Sequence, residues 1–310
     1  MENLCATFKL FSLEHFVYIL LAIALSVGGV FLFKKLEHRQ KYISIVLVSA
    51  MGLFVVLEYI GRIIGVAQFN FWEMLPVNTI QVFTIISIIV VVKDKVSWEK
   101  FLYLIALPIS GLSIIFIPNF YTTLSTFSIA TISYVIINIC IIIFSIMRML
   151  WNKEDLYQKD VLDALITFVI IVCAGHILNV FLRFTAWGLN ADYYGTMAEN
   201  YNLYIGWVSS VISVPFVSHL PLFALLVGVE YLLKWPFDKF KTKREHLEQM
   251  EELVALGNLK AQQKYRESQR KSGSQILIKN NDKSSTNKPS VPSSKESFIK
   301  TKSVDVHDDK

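Results

Sequence analysis

The stretch TLSTFSIATISYVIINICIIIFSIMRML, Thr123–Leu150, contains no Asp, Glu, Lys or His, and its one charge, Arg148, comes near its end. A bilayer crossing needs about 20 mostly apolar residues, and this run exceeds that length without the strict alternation of a barrel strand. It therefore reads as a membrane helix. Six further stretches read the same way: Phe16–Phe33, Tyr42–Val66, Leu75–Val92, Phe101–Ile117, Val161–Trp187 and Val208–Leu233. The expected fold is all-α, a polytopic bundle of seven transmembrane helices over residues 1–235. The first run is read as a retained span rather than a cleaved leader. Pro76, Pro108, Pro215 and Pro221 stand where they would kink or end their helices.

Composition agrees. Of 310 residues 54% are hydrophobic and 18% charged, against about 45–50% and about 25% in soluble domains. Sixteen of the 30 Lys+Arg and eleven of the 25 Asp+Glu lie from Pro236 onward, so the net +5 belongs to the tail. Disordered, collagenous and disulfide-rich classes are excluded. Cys5, Cys140 and Cys173 lack CxxC spacing. No HExxH, GxxxxGK[ST] or metal-spaced acid/His cluster occurs, and span seven has no mid-depth Lys for a retinal Schiff base. No metal or cofactor is expected.

Basic residues alternate between loops. Lys34, Lys35, Arg39 and Lys41 follow span one; Lys93, Lys95 and Lys100 follow span three; Arg148, Lys153 and Lys159 surround the turn after span five; Lys234, Lys239, Lys241, Lys243 and Arg244 follow span seven. The intervening loops Ala67–Glu73, Pro118–Thr122 and Gly188–Gly206 contain no Lys or Arg. The positive-inside rule then predicts an outside N-terminus, an inside C-terminus and a multi-pass location in the plasma membrane. Trp72, Phe120, Tyr121, Trp187, Tyr193, Tyr194, Tyr201, Tyr204 and Trp207 read as an outer aromatic belt. Residues 236–271 read as a charged cytoplasmic helix, with Leu247, Met250, Val254 and Gly257 at heptad-like spacing for self-association. Residues 272–310 are Ser/Lys/Asn/Pro-rich and are expected to be disordered. Membrane lipid is the expected partner; nucleic acid is not.

Ionisable groups inside spans are costly, about 2.5–3.5 kcal/mol each on insertion scales, and so point to a partner or a task. Span two holds Glu58 and Arg62 at i,i+4, the order that favours an ion pair. Span three holds Asn78 and Gln81. Span six holds His176, Asn179 and Arg183 on one stripe, with Cys173 one turn below; span seven holds His219, and span one begins with His15. Together these residues are the candidate lining of a polar cavity in the outer half. Interhelical hydrogen bonding without chemistry is the alternative for each.

The segments FKLFSLEHF (Phe8–Phe16), LEYIGR (Leu57–Arg62), the LP that opens span three (Leu75–Pro76) and GLNADYY (Gly188–Tyr194) resemble the YwaF-type bacterial membrane family over about residues 8–235. That family is grouped with the transmembrane-protein-164 acyltransferases and, more distantly, with androgen-induced hydrolases of fatty-acid esters. The resemblance implies seven helices and lipid acyl transfer or ester hydrolysis, with a third-span Cys or Thr attacking and a later His as base. The family's LPLHLC pattern falls on Leu75–Ile80, placing Asn78 at the His position and Ile80 at the Cys position. Ile80 cannot attack. Thr79 is adjacent, turned about 100° around the helix, and Thr84 lies one turn further; His176 corresponds to the base, and Cys173–His176 is a second pair. Either the chain uses a different nucleophile or it has lost the reaction. The rival function is a non-catalytic transport or binding component for a small anionic solute, using Glu58, Arg62 and Arg183. A third is a partner-binding membrane protein working through its cytoplasmic helix.

Overall fold

The computed structural model describes residues 9–65, 70–73, 75–152, 155–185, 187–188, 191–197, 203–212, 214 and 217–281. Its regular elements are helices. Ser12 accepts a hydrogen bond from the His15 backbone N–H and so caps α1, Leu13–Lys34, with Glu14 in the first turn and Lys34 in the last, where each suits the helix dipole. Helix α2 is Gln40–Gly65. Helix α3, Thr79–Lys93, ends where Asp94 adopts φ 48° and returns its N–H to the Val90 carbonyl. Helix α4, Val96–Phe101, runs through a π-turn, Leu102–Ala106, into α5, Leu107–Ile115. Pro108 accounts for that turn: it has no N–H to give and its ring crowds the preceding carbonyls, so the wider register absorbs it. The short α6, Asn119–Thr122, follows Pro118. Next come α7, Ile129–Asn152, and α8, Gln158–Phe184. Helices α9, Leu203–Val211, and α10, Leu220–Asn281, complete the chain.

Among the described residues, six helical stretches are long and apolar enough to cross a membrane: Leu13–Lys34, Glu37–Gly65, Val96–Tyr121, Ile129–Asn152, Gln158–Phe184 and Leu220–Lys239. Leu13, Phe16, Leu20 and Phe31 of α1 are exposed on the protein surface, a patch that suits lipid and not water. The chain is a multi-pass membrane protein. Its core is α7, whose one charged side chain, Arg148, comes near its end. In α7 72% of the apolar window is buried, against 11% in α1 and in the Leu220–Lys239 stretch. Helices α1, α2, α3 and α5 pack around α7. Gly61 of α2 lets the backbones meet, since a Cβ there would lie 2.5 Å from the Ala130 nitrogen.

Two of the expected seven spans differ from their reading. The third is a helix of 15 residues, about 22 Å long and short of a full hydrocarbon thickness. The seventh, Val208–Leu233, is not one helix: α9 ends at Val211, a 3₁₀ turn occupies Val217–His219, and α10 starts at Leu220. Pro221 sits in the first turn of α10, where its missing N–H costs nothing, and could not have continued an earlier helix. Two compact units divide the chain at 243/244. Helix α10 continues to Asn281, past the expected helix end at residue 271; residues 282–310 lie outside the described residues. The aromatic belt holds in part. Trp72, Trp187 and Trp207 are exposed, whereas Tyr121, Tyr193 and Tyr194 are turned inward; Tyr201 lies outside the described residues.

At the basic end of the bundle, Arg148 of α7 is buried between Glu99 of α4 and Asp94, bonding Glu99 through Nε at 3.0 Å and again through Nη2. Asn152 donates to the other Glu99 oxygen. Lys100 pairs with Asp160 at 2.9 Å and so ties α4 to α8. Removing one member of such a buried pair strands its partner, at a cost of about 3–5 kcal/mol. Arg148→Met is expected to lower the thermal unfolding midpoint of the purified protein markedly, and Arg148→Met with Glu99→Gln to recover much of it.

Candidate functional site

At the opposite, aromatic end the ionisable residues form two clusters. In the first, Glu58 of α2 has no exposed surface. Its Oε1 accepts from the Tyr121 hydroxyl at 2.5 Å and from Arg62 Nη1 at 3.5 Å; its Oε2 accepts from Gln81 Nε2 at 2.9 Å. The Arg62 guanidinium lies 4.8 Å from the Phe120 ring centroid, a cation–π contact. Three donors commit the Glu58 lone pairs, which suits it to hold α2, α3 and α6 together rather than to take a substrate proton. The periphery is less complete: Gln81 Oε1 and the Tyr59 hydroxyl are buried with no hydrogen-bond partner among the described residues.

The second cluster grows from α8. Asn179 is fully buried and donates to the Tyr193 carbonyl and the Thr196 hydroxyl, both at 2.9 Å, while its Oδ1 accepts from the Tyr193 N–H at 2.9 Å. Arg183 Nε donates to the Ala191 carbonyl at 2.8 Å. His219 bonds the Tyr194 carbonyl through Nε2 at 2.9 Å. Tyr194 holds φ 64° and lies over Gly175, where a Cβ would come 2.4 Å from its ring; the glycine admits the loop. His176 is half-buried one turn from Asn179 and close enough to His219 to interact with it electrostatically. The Tyr193 hydroxyl donates to the Trp72 carbonyl at 2.6 Å and accepts from the Leu75 N–H at 2.9 Å, which links this loop to the entry of α3.

The remaining candidates stand apart. Thr79 is half-buried at the first position of α3, and Asn78 precedes it without a side-chain capping bond. The buried Thr84 hydroxyl donates to the Ile80 carbonyl at 3.0 Å, a bond within its own helix. Cys173 is a half-buried free thiol. His15 is enclosed: Nδ1 accepts from the Phe11 N–H at 2.9 Å, which leaves Nε2 as the donor to the Ile114 carbonyl at 3.0 Å. Ile114 also lines an apolar groove of about 430 Å³ between α1, α5 and α7, with Ile19, Ala22, Ser26, Gly111 and Ile142. The Ser26 hydroxyl in that wall is buried without a partner.

Sequence reasoning missed Tyr121, Tyr193, Thr196 and Glu230. The tyrosines looked like belt residues, and nothing in the sequence announces that they point inward. Glu230 was legible, being an acid inside the apolar run LFALLVGVEYLL.

Asn179→Ala is expected to raise amide hydrogen exchange across residues 191–197 and to destabilise by about 1–3 kcal/mol for each polar group it strands. Glu58→Ala, which leaves Arg62 buried without its counter-charge, is expected to cost more, about 3–5 kcal/mol, read as a lowered unfolding midpoint.

No curated protein and no solved structure matches the chain. The sequence model of the TMEM164 family matches residues 10–226, from just before α1 to the first turns of α10, and so takes in both clusters and the groove. The chain belongs to the TMEM164 family.

Proposed function

We propose that the protein crosses the plasma membrane seven times, N-terminus outside and C-terminus inside, and handles a lipid or similar amphiphile as an acyltransferase or ester hydrolase. The observation that carries this reading is the groove beside α1. It is lined almost wholly by aliphatic side chains, lies within three membrane-depth helices, and has His15 bonded to one of its wall residues. Such a groove accepts an acyl chain laterally from the bilayer. The polar groups at the aromatic end then meet the headgroup, with Arg62 and Arg183 suited to a phosphate or carboxylate and Asn78, Gln81, Asn179 and His219 shaping the site. His176 acts as the base. Thr79 is the better placed of the two threonines to attack, because the Thr84 proton is already given to Ile80.

In lipid nanodiscs, His176→Ala is expected to abolish acyl release from a radiolabelled phospholipid, and Ala22→Trp, which fills the groove, to reduce phospholipid co-purification. Undiminished release in His176→Ala removes the base; unchanged lipid content in Ala22→Trp removes the groove. The second reading, a carrier or binder of a small anion, draws on the Arg62 guanidinium and the unsatisfied Gln81 and Tyr59 atoms around Glu58. Uptake of such an anion into proteoliposomes, lost in Arg62→Ala, would favour it. Self-association belongs in this picture to the helix past Lys243, where Met250 and Val254 are exposed. Truncation there leaves the lipid chemistry intact.

A further inference from the structure

Glu230 lies inside the Leu220–Lys239 stretch of α10, and no part of it is exposed. Both carboxyl oxygens are buried and neither has a hydrogen-bond partner among the described residues. Glu58 shows what a carboxylate at membrane depth otherwise requires: three donors from three elements. An isolated carboxylate in apolar surroundings is so costly that the group neutralises instead.

The cation best placed to relieve Glu230 is turned away from it. Lys234 follows at i+4, in the order that favours a Glu–Lys pair, yet it donates to both oxygens of Asp238, at 2.7 and 2.6 Å. The Asp238 side chain is 50% exposed and that of Lys234 13%. Glu230, Lys234 and Asp238 thus stand at i, i+4 and i+8 along one face of α10, from the closed interior to an exposed carboxylate near the end of the apolar stretch. Among the described residues the neighbouring elements offer no substitute. Ring contacts join α10 to α8 through Phe223–Phe168 and to the π-turn through Phe237–Tyr103. Of the titratable groups those elements and α4 carry, Lys100 is paired with Asp160 and Glu99 with Arg148. Lys159 and Asp163 are exposed, Arg183 donates to the Ala191 carbonyl, His176 lies by His219, and neither Tyr103 nor Cys173 bonds Glu230.

We propose that Glu230 is a proton-binding site within the membrane, loaded and unloaded through the Lys234–Asp238 end of α10. Uptake transfers one proton from hydronium to a carboxylate oxygen and leaves water. Release returns the proton to water, and the Lys234 ammonium, still charged, moves from Asp238 to the new Glu230 carboxylate. The site uses none of the residues in the lipid reading and lies beyond residue 226, where the family match ends.

The test is labelling of the full-length protein in nanodiscs with dicyclohexylcarbodiimide, an apolar reagent that captures protonated carboxyl groups, followed by peptide mass spectrometry. The expected result is an adduct on Glu230 and not on Glu58 at neutral pH, fading as the pH is raised. The isosteric Glu230→Gln is expected to lose the adduct and Glu230→Asp to keep it. Lys234→Met removes the cation that receives the deprotonated form, so labelling is expected to persist to higher pH. An unlabelled Glu230 at every pH, labelling of Glu58 alone, or labelling of Glu230 that ignores both pH and Lys234 overturns the proposal.

Discussion

A carboxylate with no exposed surface has to be answered from inside the protein, and the answer to Glu58 organises one end of this bundle. The donors come from Arg62 one turn along α2, Gln81 at the start of α3 and Tyr121 in α6. Supplying them brings the short α3 and the α5–α7 connection against α2. There Gly61 has already reduced the distance to α7, and Phe120 covers the remaining face of the arginine. A buried ion pair is weak evidence for stability by itself. Its value here is geometric, because one carboxylate draws donors from three elements to the same point.

The same demand explains how irregular backbone is tolerated around that network. Helices and closed barrels are the usual solutions in lipid because loops leave N–H and C=O groups unmet. The chain before α3 and the loop after α8 meet one another instead. Tyr193 bonds both the Trp72 carbonyl and the Leu75 N–H, and Asn179 bonds the loop that carries Tyr193 at three points. Trp72 and Trp187 stack above, their centroids 4.9 Å apart. The short third helix is therefore preceded by irregular backbone whose polar groups are met by hydrogen bonds from the loop after α8.

What was legible in the sequence followed from period and hydropathy. The helical class, five of the long spans and the Glu58–Arg62 pair are consequences of spacing along one element, which a sequence displays directly. The break between α9 and α10 was signalled only by its prolines and lay inside a run apolar enough to mask it. Side-chain direction was hidden. Tyr121 and Trp187 look alike as outer-loop aromatics, yet one is sealed against Tyr134 and the other faces outward. Polar residues on different helices could be grouped by depth but not by partner. Hence His15, which bonds α5, and Asn179, which bonds its own downstream loop, were read as members of one cavity with Glu58.

Two glutamates at membrane depth separate the roles such residues can take. Glu58 and Glu230 are each without exposed surface, so hydrophobic burial does not distinguish them; hydrogen-bond supply does. A carboxylate ringed by donors is a fixed anion whose removal breaks packing, and evolution can retain it for architecture alone. A carboxyl group with no donor adds nothing to packing that a leucine would not add more cheaply. What it adds is a property leucine lacks, and within an apolar helix that property is the capacity to gain and lose a proton. Lys234 makes that capacity usable, because an ammonium one turn away can stabilise the charged form without following the group into the core. Glu58 accounts for the shape of the bundle, and Glu230 is where a chemical change could act on it.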